Sequence, residues 1–435
     1  MYIDMIRLFP QTAQVKNGHL VVGGCDTVAL AAEFGTPLYI YDETTLRSKC
    51  CEYRHEFTLR YADCSIAYAC KSFLNPALAQ VLKEEKLGLD VVSGGELHIA
   101  STIDFPMGTV YFNGNNKSIE ELEMAIDLNV GYVVVDNSCE LDLLGRIAQE
   151  KGAKVKVLLR LLPGVDPHTH DHLSTGSIDS KFGFTMAQAD RAVAEAMRLP
   201  SIYLAGFHFH IGSQILDTTP YVKAIDAVFG FIQQALQQHN LTPDELSAGG
   251  GLGIAYTRDS SSPSIADFAE AITGAVLEKC RALHIKPPHL IIEPGRSIVG
   301  QAGVALYTVG AIKHIEGVRD YIAVDGGMSD NIRPALYGAK YEAVVANKMN
   351  QKETETVTIA GKLCESGDVL VRDIALPHIK TGDLIAVPCC GAYCLSMASN
   401  YNASPRPAIV MVRDGNARLI RRRENYEDLI RCDIF

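Results

Sequence analysis

The chain has 435 residues, 47% of them hydrophobic and 21% charged. That is ordinary globular usage, which excludes a disordered chain, and the length excludes a peptide hormone or a small disulfide scaffold. At about 150 residues per domain, two or three folding units are expected unless one of them is a large barrel. Forty basic against 51 acidic residues leave a net charge of -11, which repels phosphate backbones and removes nucleic acid from the expected partners. The triplet Arg421-Arg422-Arg423 is too short to change that and reads as a solvated strand end.

No run approaches the ~18 to 20 apolar residues of a membrane span. The opening MYIDMIRLFPQTAQ lacks the basic-then-apolar pattern of a secretory signal, so no membrane partner and a cytoplasmic location are expected. Twelve cysteines are scattered along the chain without a CxxC pair. They are expected to be mostly buried thiols in a reducing compartment rather than a zinc site or disulfide framework.

In chain order, residues 1–36 contain HLVVGG and are expected to pack with a β domain found later in the sequence. Eight short apolar or β-branched runs follow: IAYAC (66–70), GLDVV (88–92), TVYFN (109–113), YVVVD (132–136), KVKVLLRL (154–161), YLAGFHFHI (203–211), ELSAGG (245–250) and HLIIEP (289–294). Segments such as NPALAQVLKEEK and AQADRAVAEAMRL alternate with them and carry apolar residues at helical spacing. Eight alternations predict a (β/α)8 barrel over 37–300 rather than an open sheet. Beyond Gly300 the runs VALYTVGAIKHI, DYIAVDGG, TVTIAG, DLIAVPCC, AIVMVRDG and ARLIRRR have almost no helix between them, which predicts an all-β domain, sandwich or barrel, over 301–435.

Barrel chemistry sits at the C-terminal ends of the strands. Lys71 follows the first strand, Ser93-Gly94-Gly95-Glu96 the second, His210-Ile211-Gly212-Ser213 the sixth, Gly249-Gly250-Gly251 the seventh and Glu293-Pro294-Gly295-Arg296 the eighth. Glycines that let backbone amides approach an anion, a serine hydroxyl and a guanidinium suit a phosphate. With Lys71 able to form a Schiff base, His210 able to stack on a ring and Glu293 able to pair with a pyridinium nitrogen, the set describes a pyridoxal 5'-phosphate site.

The ordered strings YACK, DVVSGGEL, GFHFHIGSQ, GGGLG, EPGR, MSDNIRPALYG, CESGD and GAY resemble those of the diaminopimelate decarboxylases, in the alanine-racemase-like group of pyridoxal phosphate enzymes. The match runs from about Tyr39 to Arg423. The resemblance implies decarboxylation of meso-2,6-diaminopimelate to L-lysine and carbon dioxide, the last step of lysine biosynthesis. It implies Lys71 as the Schiff-base lysine and His210 on the ring face. Ser213, Gly250, Gly251, Gly295 and Arg296 would lie at the phosphate, with Tyr393 closing on the cofactor and Glu293 at the ring nitrogen.

The substrate's second amino-acid head needs a cation for its carboxylate and an anion for its amine. Arg333, Tyr337 and Arg296 would take the carboxylate and Glu365 the ammonium, with Tyr393 also at the substrate. Cys364 resembles the family's proton donor, contributed with Glu365 across a homodimer interface. Nearby Glu365 and Asp368 would keep its thiol protonated. Either Cys364 or Lys71 would return the proton to the α-carbon. The lysine motif departs from the family in reading Lys71-Ser72-Phe73 in place of Ala and Asn, which bears on the packing of the next helix.

Three other readings compete. A related decarboxylase would act on ornithine, arginine, carboxynorspermidine or a carrier-bound glutamyl group. A catalytically dead relative would act by binding another protein, although it would be expected to have lost Lys71 or Cys364. The HTHDHL run (His168, His170, Asp171, His172) and His208-Phe209-His210 imitate metal ligands, but their spacing and position do not match the metal-dependent barrel hydrolases, and no metal is expected.

Overall fold

The computed structural model describes residues 5–165 and 180–434. The HTHDH histidines and Asp171 lie outside the described residues. Contacts divide the chain into two compact units, one of Cys50–Gly253 with Ser262–Gly295 and one of Met1–Lys49, Ile254–Ser261 and Arg296–Phe435.

In the first unit, eight strands pair in parallel with their successors: β1 (Cys64–Ala69), β2 (Gly88–Val91), β3 (Val110–Phe112), β4 (Tyr132–Val135), β5 (Val155–Leu162), β6 (Ile202–Phe209), β7 (Glu245–Ser247) and β8 (His289–Ile292). β8 returns to β1 in the register Ile292↔Ile66, so the sheet closes into a (β/α)8 barrel. These are the eight runs expected from the sequence. Their apolar character reflects burial on both faces, inside against one another and outside against helices. Ala67, Tyr111, Val134, Leu158, Ala205 and Ile291, from six of the strands, form one buried cluster.

The residues that end the strands also start the helices. Asn75 caps Pro76–Glu84, Ser93 caps Gly94–Ser101, Ser118 makes a capping box with Glu121 before Ile119–Asp127, and Asn137 caps Ser138–Glu150. Each cap contributes about 1 kcal/mol and pins one turn beyond the C-terminal end of a strand.

The second unit is built on a nine-stranded sheet whose main strands are β9 (Gly303–Ile315), β10 (Arg319–Val324), β11 (Glu355–Ala360), β12 (Val369–Leu376), β13 (Leu384–Val387), β14 (Ala408–Arg413) and β15 (Asn416–Arg421). An earlier strand, Leu38–Asp42, completes it, antiparallel to β9 and parallel to β14. The barrel expected over 37–300 includes this stretch, but LYIYD pairs in the other sheet and is buried at all five positions because it has a partner on each side. The HLVV run forms its own small antiparallel sheet with Gln14–Lys16 and Cys25–Asp26, held to this unit by a bond from the Leu20 amide to the Ala346 carbonyl. β12 was not foreseen, since Arg372 and Asp373 interrupt its apolar pattern.

Candidate active site

In the barrel unit, β1 ends at Ala69 and a single 3-10 turn, Cys70–Ser72, presents Lys71. The unusual Ser72 fastens this turn, its hydroxyl standing 2.8 Å from both the Ala69 carbonyl and the Tyr68 hydroxyl, which share its one proton. Tyr68 in turn donates to the Phe73 carbonyl at 2.8 Å. The departure at Ser72-Phe73 is thus a buried brace behind the lysine. The Lys71 side chain is 39% exposed, and its Nζ stands 3.6 Å from Oδ2 of the buried Asp90 at the end of β2. Asp90 Oδ1 accepts a 2.6 Å bond from Asn113 Nδ2.

Glu293, just past β8, is buried and has a donor on each oxygen, Ser247 Oγ at 2.7 Å and His208 Nε2 at 3.0 Å. Burial alone would raise its pKa, but His208, Ser247 and Lys71 outweigh burial and hold it well below the usual carboxylate range. Asp90 moves the other way, pushed up by burial and by the Glu293 charge. The unit therefore holds one firmly ionised carboxylate and one biased toward its acid, an arrangement that separates an electrostatic partner from a proton carrier. Nearby, Glu96 accepts from the Val92 amide at 2.7 Å and is raised to about 7, first by burial and further by Asp90.

His210 Nδ1 accepts from the Gly250 amide at 3.4 Å, which leaves the ring hydrogen on Nε2. Burial, then the charges of Lys71 and Arg160, depress its pKa well below the ordinary value, so the imidazole is neutral and offers an uncharged face. A Cβ on Gly250 would stand 1.9 Å from the Glu293 carbonyl, and Gly251 holds φ +107°, so neither position tolerates a side chain without rearrangement. A lysine in the barrel mouth, a neutral flat ring, an anchored anion and a rim lined by backbone fit pyridoxal phosphate.

The second unit holds a different cluster. Arg296 opens the short helix Arg296–Val299, and its Nη1 donates to Tyr256 Oη at 2.6 Å. Its guanidinium lies 4.6 Å from the Tyr393 ring centre and 5.7 Å from that of Tyr256. Arg333 is buried, 4.6 Å from the centre of the same Tyr256 ring and 5.5 Å from that of Tyr341, to whose hydroxyl it donates. Among the described residues no salt bridge reaches Arg333. The loop that delivers it is anchored by Asp330, which takes bonds from the Tyr39 and Tyr307 hydroxyls and the Gly327 amide. Tyr393 sits in the left-handed region at φ +59°, a strain of order 1 kcal/mol held by its surroundings.

A family model for the pyridoxal-dependent decarboxylases, pyridoxal binding domain, matches residues 43–300. The chain is 48% identical to the diaminopimelate decarboxylase of Bacillus subtilis (strain 168), with 97% of this chain and 96% of the relative covered. The chain belongs to the diaminopimelate decarboxylase family. The relative from Synechocystis sp. (strain PCC 6803) is 46% identical across 98% of this chain and 92% of its own. Among solved structures, diaminopimelate decarboxylase from M. jannaschii in complex with L-lysine superposes with a TM-score of 0.93 at 38% identity, covering 98% of both chains. The Helicobacter pylori enzyme complexed with L-lysine gives 0.85 at 32% identity, over 93% of this chain and 98% of that one.

This diaminopimelate decarboxylase family member thus carries the expected residues in two groups. Lys71, His210, Ser213, Gly250, Gly251, Glu293 and Gly295 belong to the barrel unit, whereas Arg296, Arg333, Tyr337, Cys364, Glu365 and Tyr393 belong to the other. Tyr337 is 64% exposed, one turn beyond the buried Arg333. Cys364 and Glu365 are also exposed, and the Cys364 amide donates to Asn402 Oδ1 at 2.9 Å. Asp368, expected to act on the Cys364 thiol, instead turns inward to accept from the Met328 and Leu363 amides.

His208, Ser247, Asp90 and Tyr256 escaped the sequence reading as site residues. His208 had only been weighed as a metal ligand in its HxH pair; its bond is to Glu293. Asp90 and Ser247 stand on strands just ahead of motifs that had been noticed, and the strand alternation was the available signal.

Proposed function

We propose that the chain removes carbon dioxide from meso-2,6-diaminopimelate to give L-lysine, with the barrel unit holding pyridoxal phosphate and the second unit reading the far end of the substrate. The observation that carries the substrate is Arg333, a buried cation with no carboxylate partner among the described residues. Such a group is stabilised by an anion that arrives with the ligand. Ornithine and arginine end in a cation and would leave it unanswered.

When bound, pyridoxal phosphate supplies the electron sink for the pair released as the carboxylate leaves the α-carbon. The chain's own residues do the rest. Lys71 holds the cofactor, and Asp90, 3.6 Å from its Nζ, is placed to exchange a proton with it. Glu293, kept anionic by His208 and Ser247, favours a protonated ring nitrogen. Neutral His210 covers the ring face. Ser213, Gly250, Gly251, Gly295 and Arg296 serve the phosphate, and Tyr393 closes on the cofactor. Arg333, Arg296, Tyr337 and Tyr393 take the distal carboxylate and Glu365 the distal ammonium. Orientation by these distal contacts keeps the scissile bond aligned, the larger part of what positioning contributes. One proton must then reach the α-carbon, from Cys364 Sγ or from Lys71 Nζ.

Cys364 and Glu365 are exposed, as are the apolar Leu336 and Tyr337 of the helix Arg333–Tyr337. A second copy of the chain covering this surface accounts for both, making a homodimer with shared sites; Leu336→Arg is expected to yield monomers in light scattering. All twelve cysteines are free thiols, seven of them buried, which supports a cytoplasmic location. No described helix is long and apolar enough to cross a membrane. Carbon-dioxide release with stoichiometric L-lysine from the cofactor-loaded protein tests the proposal, and turnover without L-lysine would refute it.

A further inference from the structure

Five side chains in the second unit alternate as ring, cation, ring, cation, ring: Tyr393, Arg296, Tyr256, Arg333 and Tyr341. Among the described residues Tyr256 lies against both guanidinium groups, at 5.7 Å and 4.6 Å from its ring centre, and its hydroxyl accepts a 2.6 Å bond from Arg296. Tyr341 packs edge-on against it, with centroids 5.2 Å apart at 78°. The neighbouring Ala255 carbonyl lies 3.4 Å from the Cys389 thiol, which also faces the Leu8 carbonyl at 3.2 Å. Tyr256 is buried in a segment, Ile254–Ser261, that belongs to this unit although barrel residues flank it on both sides in sequence.

Two guanidinium groups on either side of one ring carry like charge, and the ring they share is a common reference for their positions. A ring face attracts a cation without cancelling its charge, so a tyrosine between them orders both while leaving both positive. Burial lifts the Tyr256 hydroxyl to about 12 despite the two arginines, so it remains a neutral phenol.

We infer that Tyr256 is a specificity-determining positioning residue, which sets Arg296 and Arg333 as a pair that reads the distal carboxylate of the substrate; the inference rests on the substrate proposed above. Tyr256 contributes no charge and takes no part in proton transfer. Its effect is confined to ligands that bring the second carboxylate.

The test uses the holoenzyme and two competitive inhibitors of carbon-dioxide release: L-lysine, which keeps the distal carboxylate, and cadaverine, which lacks it. The ratio of their inhibition constants isolates that carboxylate, whereas a merely structural role would weaken both inhibitors alike. Tyr256→Leu is expected to reduce the preference for L-lysine about tenfold. Tyr256→Phe keeps the ring and loses only the bond from Arg296, so the preference falls about threefold. If Tyr256→Leu does not fold, Tyr256→Phe decides alone. An unchanged ratio in the folded variants overturns the inference. Arg333→Lys runs alongside: if it lowers the ratio while the Tyr256 variants do not, only the role of Tyr256 fails. If Arg333→Lys also leaves the ratio unchanged, the reading of the distal carboxylate fails with it.

Discussion

The two candidate clusters handle charge in opposite ways. In the barrel, charges come with partners: Lys71 beside Asp90, and Glu293 between His208 and Ser247. In the second unit Arg333 is surrounded by phenol rings and the Cys394 thiol, with Tyr341 as its hydrogen-bond acceptor. Pairing with differential burial fixes where protons reside, which suits bond-breaking chemistry. Cations ordered by rings retain their full charge, which suits capture of an anion. The proposed function thus gives proton control to a barrel and substrate choice to a β-sheet unit.

Lys71→Ala attacks the barrel side most directly. Activity is expected to fall on the order of a thousandfold or more, with loss of the long-wavelength cofactor absorbance. Retention of both would remove Lys71 from the site. Cys364→Ala should leave cofactor absorbance intact and lower kcat on the order of a hundredfold, as expected for loss of a proton donor. Unchanged turnover would reassign that step to Lys71. On the other side, Arg333→Lys keeps the charge but loses the planar fork, so KM for diaminopimelate should rise about tenfold with a smaller change in kcat.

The smallest effect concerns Glu96, whose pKa of about 7 in the folded protein lies above the ordinary ~4.3 of an unfolded chain. A raised carboxyl stabilises the fold below its unfolded pKa, and that contribution is lost as pH rises through about 7. Glu96→Gln should therefore be more stable than the parent at pH 8, by about 2 kcal/mol, with the difference shrinking toward pH 4 in denaturant titrations. A pH-independent difference would show that Glu96 titrates normally.

The barrel was legible because parallel strands buried on both faces read as short apolar runs, and the site motifs were legible because they fall at strand ends. Leu38–Asp42 has the same all-buried texture as a barrel strand, so sequence pattern alone did not reveal that it belongs to the other sheet. β12 was hidden by Arg372 and Asp373. His208 and Tyr256 were hidden for a different reason: each acts through a residue distant in sequence, His208 on Glu293 and Tyr256 on Arg296 and Arg333. Motif reading finds the groups expected to touch cofactor or substrate, whereas the side chains that hold them emerge only from three-dimensional neighbours.

The division of labour is tested most directly by the kcat/KM of the cofactor-loaded protein for meso-diaminopimelate relative to ornithine, measured by carbon-dioxide release. A preference for diaminopimelate of about a hundredfold or more, as expected when a buried cation must be matched, is the predicted result. Equal rates on the two substrates would contradict the assignment of the arginine cluster to substrate choice.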